Sequence, residues 1–143
     1  MEGGSILATP VVNPITDGLL LRIAGQDIIR FKVLAIGSDS NLYYADRTNT
    51  EHIGKVIGVS ISSVLSGSNV LLRTYGRIDN SSWAWDVTKP IYLDTHGNMT
   101  QTLPGGYNIR IAKVLLPTSI LVDIDEVIDT PEYEINLKKW AWI

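Results

Sequence analysis

The sequence predicts an all-β fold: an antiparallel β-barrel or sandwich of about nine short strands, with extended N- and C-terminal arms. Three observations predict it. Of the 143 residues, 18 Ile, 11 Val and 11 Thr carry β-branched side chains, which suit a pleated surface and lose rotamer freedom in a helix. Strong helix formers are scarce, with only 7 Ala, 5 Glu and 6 Lys. Turn chemistry recurs roughly every 8–12 positions with no strand–helix alternation, which argues against a parallel sheet. Barrel and sandwich share this alternation, so the choice between them stays open.

Residues 1–17 read as an arm, because Pro10 and Pro14 push their preceding residues toward extended geometry and the early glycines oppose a helix. The apolar Val11 and Val12 suit an arm that docks on a partner, the alternative being a poorly ordered terminus. A β domain is expected over residues 18–128. Its first strands are Leu19–Ala24 and Ile28–Ile36; in the second, Ile29, Phe31, Val33 and Ala35 share one face, opposite Arg30 and Lys32. Leu42–Ala45, Ile53–Ile61 and Val70–Ile78 follow, separated by polar or Ser/Gly-rich loops. Ile91–Asp94 and Asn98–Thr102 flank Thr95-His96-Gly97, a hairpin signal. Pro104-Gly105-Gly106 precedes Tyr107–Leu116, and Pro117-Thr118 turns the chain into Ser119–Asp125. A weak internal echo, Lys55-Val56-Ile57 against Lys113-Val114-Leu115, reads as convergent β patterning, with a diverged duplication as the alternative.

Residues 129–143 form a C-terminal arm or added strand. Tyr133, Ile135 and Leu137 alternate with Glu134, Asn136 and Lys138, and Trp140 and Trp142 close the chain. So much apolar surface on a terminal strand is costly in water, so its own domain or a neighbouring subunit should cover it.

A net charge of −3 with scattered Lys and Arg argues against a nucleic-acid partner, and no apolar run approaches the roughly 20 residues of a membrane helix. The acidic start lacks the basic and apolar regions of a secretory signal, and zero cysteines exclude disulfides, thiolate catalysis and Cys-based zinc sites. Synthesis in a reducing cytoplasm is expected.

Little supports catalysis. His52 and His96 lie in polar loops without metal-ligand spacing, and phosphate-binding and nucleophile-elbow fingerprints are missing, so neither an enzyme nor a cofactor is expected. Asp123 and Asp125 project from one strand face, but without the oxygen-rich glycine turn of a calcium loop they read as a solvated surface. The two Trp-x-Trp pairs carry more information. In a strand, Trp83 and Trp85 point the same way, as do Trp140 and Trp142, and such a platform can plug a core, anchor an interface or stack on sugar rings.

The order of motifs over roughly residues 45–125 resembles small bacteriophage virion proteins, namely head decoration or head-fibre proteins and related tail-fibre modules. The matching stretches are Ala45-Asp46, His52-Ile53-Gly54-Lys55-Val56-Ile57-Gly58-Val59, Ser81-Ser82-Trp83-Ala84-Trp85, Lys89-Pro90-Ile91-Tyr92-Leu93, Gly97-Asn98-Met99-Thr100-Gln101-Thr102-Leu103-Pro104 and Ile120–Ile124. The resemblance implies a non-enzymatic structural role on the virion, often as a homotrimer bound to the major capsid protein or another virion protein. A tail-fibre or baseplate module with a receptor- or carbohydrate-binding face is the alternative. The interface residues expected on this reading are Val11, Val12, Trp83, Trp85, Tyr133, Ile135, Leu137, Trp140 and Trp142.

Overall fold

The computed structural model describes residues 18–103 and 108–125, where the regular elements are ten strands and one 3-10 turn at Thr50–His52. Both arms, and with them Val11, Val12, Tyr133, Ile135, Leu137, Trp140 and Trp142, lie outside the described residues, as do Pro104 to Tyr107. The first sheet holds β1 (Leu19–Ile23), β2 (Val33–Ile36), β3 (Leu42–Tyr44), β4 (Val56–Ser60) and β5 (Asn69–Arg73) in the order β1-β5-β4-β2-β3. The second holds β6 (Tyr75–Asp79), β7 (Ile91–Leu93), β8 (Met99–Thr100), β9 (Arg110–Leu116) and β10 (Ser119–Asp125) in the order β6-β10-β9-β7-β8. Strand pairing is antiparallel throughout both sheets. The fold is all-β, and the sheets pack face to face as a sandwich.

The second sheet repeats the first strand for strand, since adding five to each number in β1-β5-β4-β2-β3 gives β6-β10-β9-β7-β8. The Lys-Val-aliphatic echo falls at the corresponding strands β4 and β9. The hairpin turns also correspond: Gly37 N donates to Asn41 O at 2.8 Å, and Asp94 N to Asn98 O at 2.8 Å. The echo itself is out of register with that repeat: Leu34 pairs with Gly58 and Ala35 with Val56, as Ile91 does with Ala112 and Tyr92 with Arg110, so Lys55-Val56-Ile57 corresponds to Ile109-Arg110-Ile111 and not to Lys113-Val114-Leu115.

The main core lies between the sheets, where Val33, Ala35, Val56 and Val59 meet Ile78, Ile91, Leu93, Ile111, Ile120 and Val122. A second cluster sits on the opposite face of the first sheet, where Leu34, Leu42, Val70 and Leu72 pack with Ala24 and Ile28. The sheet curls around it, and its outer strands approach where Ala24 bridges Leu42 in parallel. Ile28 and Val64 exchange backbone hydrogen bonds of 2.9 Å and close one side. Burial on both faces explains why Val33, Leu34 and Ala35 are all buried, where alternation predicts a half-buried strand.

Two strand boundaries differ from expectation for local reasons. The run Ile28–Ile36 is strand only from Val33, because Phe31 takes a left-handed φ of 68°. Buried Ser60 holds this kink: its hydroxyl donates to Ile29 O at 2.8 Å and accepts from Lys32 N at 3.0 Å, while its carbonyl accepts from Phe31 N at 2.6 Å. The run Val70–Ile78 is two strands, so ten strands replace about nine. At Thr74 the chain leaves the first sheet for the second, Thr74 N donating to Gly18 O at 2.6 Å and Gly76 taking a φ of 120° that side chains avoid. Period-two patterning continues smoothly through this corner, so the sequence does not betray it.

The Thr95–Asn98 turn ties the layers together. His96 (φ 55°) and Gly97 (φ 74°) have the two positive φ values of a tight hairpin turn, as the sequence predicts. Gly97 then reaches into the first sheet, donating to Ala45 O at 2.6 Å and accepting from Val33 N at 2.8 Å. A β-carbon there would lie 3.0 Å from both Tyr44 Cδ1 and Val33 O.

Candidate functional site

Of the nine expected interface residues, the described structure places Trp83 and Trp85, in an extended loop after β6 and outside any strand. The Asn80 turn starts that loop, with Trp83 N donating to Asn80 O at 3.0 Å and Ser82 N to Asn80 Oδ1 at 3.1 Å. Trp85 N donates to Pro117 O at 2.9 Å, which pins the loop to the β9–β10 turn. The indoles are half-buried, 5.9 Å apart and tilted 56° to each other. Without strand geometry they do not form the flat platform expected of parallel neighbours.

They form a wall instead. The Phe31 ring meets Trp83 edge-on at 5.2 Å, and Arg30 sits 5.0 Å over the Phe31 ring. All three aromatic rings pack against the inter-sheet core. Trp85 Nε1 is enclosed with no acceptor among the described residues. The strained Phe31 backbone, held by Ser60, thus aims the chain's single Phe at Trp83. Sequence reasoning missed both residues, since nothing local distinguishes a kinked Phe from a strand Phe.

A second feature concerns the chain ends. Gly18 opens the described structure and accepts from Thr74 N; the next residue, Tyr75, is the cross-strand partner of Asp123. Cross-strand neighbours lie about 5 Å apart, so the described residues begin, at Gly18, and β10 ends, past Asp123, at one end of the sandwich. Beside this end runs β1, where Leu21 is 56% and Ile23 47% exposed.

The remaining polar groups make local turns. Asp123 is exposed, and Arg110 Nη2 lies 2.9 Å from Asp125 Oδ2. With Pro90, Ala112 and Lys113 these residues line a depression of about 230 Å³, below the ~300–1,000 Å³ of small-molecule sites. His52 Nδ1 accepts from Asp46 N at 3.0 Å, and His96 N donates to Asp46 Oδ2 at 3.2 Å, so both histidines brace the Asp46 turn. Burial raises the Asp46 pKa, but hydrogen bonds from Thr48 and His96 outweigh it and leave the group below its ordinary value. The Ser119 hydroxyl, followed by the Arg77 guanidinium, holds Asp79 below its ordinary value too. Tyr43 does the same for Asp39, and Thr88 for Asp86. Among the described residues no three His, Asp or Glu side chains converge as metal ligands, and no helix is long and apolar enough to cross a membrane.

No protein-family model matches the chain, and no curated protein matches it either.

Proposed function

We propose that this chain is a non-enzymatic structural protein of a bacteriophage virion, a capsid decoration (cement) or head-fibre protein that oligomerises on the virion surface. The supporting observation is that both terminal segments join the sandwich at one end, through Gly18, Tyr75 and Asp123. A body with two adhesive segments at one end binds by that end and projects the rest. Those segments carry the apolar Val11 and Val12 and the alternating Tyr133, Ile135 and Leu137, patterns suited to extended contact with a repeating lattice. The motif order over residues 45–125, which resembles that of phage virion proteins, suits the same reading, with the major capsid protein or another virion protein as partner and a homotrimer as the assembly.

Co-sedimentation with phage heads tests the reading. The full chain is expected to pellet with heads, and a chain lacking residues 129–143 to stay in the supernatant while keeping its β circular dichroism. A full chain that never pellets with heads and remains a monomer would overturn the proposal.

A further inference from the structure

We draw no further inference here: the strongest candidate, the apolar surface patch that Leu19, Leu21 and Ile23 of β1 form beside Leu71 of β5, carries none, because nothing in the structure shows what covers it.

Discussion

Trp83 shows what a residue can and cannot disclose. Its size and its Trp-x-Trp setting single it out in the sequence, and it does pack on the core. Its partner Phe31 was illegible, because that contact depends on a left-handed backbone 52 positions away in the chain. Trp83→Ala should destabilise the protein by about 2–3 kcal/mol in urea unfolding, less than the ~3–5 kcal/mol of a fully buried aromatic because the ring is half-buried. An unchanged midpoint would show that the wall bears no load. The aspartates give a second residue-scale prediction. Asp39, Asp46, Asp79 and Asp86 all titrate below their ordinary value of 3.8 when folded. Groups depressed by folding contribute stability that is complete above the unfolded pKa and lost as pH falls through the folded one. The urea midpoint should therefore be level from neutral pH to about 5 and fall below about pH 4, less steeply in Asp79→Asn. A midpoint that rises on acidification would contradict this assignment.

At the scale of elements, strand identity was legible wherever branched residues ran between turn residues, and the Thr95-His96-Gly97 hairpin was read correctly from its turn chemistry. Boundaries failed where side-chain hydrogen bonds or a bend override the period. Ser60 shows the first case: it is fully buried and clamps Ile29 and Lys32, yet in sequence it is simply the end of a strand. Ser60→Ala leaves Ile29 O and Lys32 N without this partner, and should cost about 1–3 kcal/mol in denaturant unfolding. It should also loosen Phe31 against Trp83, seen as a shift in tryptophan fluorescence. The Thr74 corner shows the second case, since Val70, Leu72 and Ile78 keep one period while serving two different cores. Gly97→Ala combines a positive φ with two 3.0 Å contacts, and a loss of about 1–3 kcal/mol is expected from the thermal midpoint.

The whole molecule is two sheets of one topology with unlike edges, and that difference could be seen only after the topology was known. From sequence, Leu19, Leu21 and Ile23 were ordinary strand residues, whereas alignment with Tyr75, Arg77 and Asp79 shows β1 apolar where β6 carries charge. Likewise the apolar pattern of residues 133–137 was visible, but that β10 runs out beside Tyr75, next to Gly18, was not. The proposed function turns on one claim: the sandwich folds by itself, and its copies assemble through the segment after it. Light-scattering mass of the full chain beside a chain lacking residues 129–143 tests this most directly. The account predicts a multiple of 15.8 kDa for the full chain, three copies on the proposed reading, and a folded single copy for the shortened one. A monomeric full chain, or a shortened chain that still assembles, would contradict it.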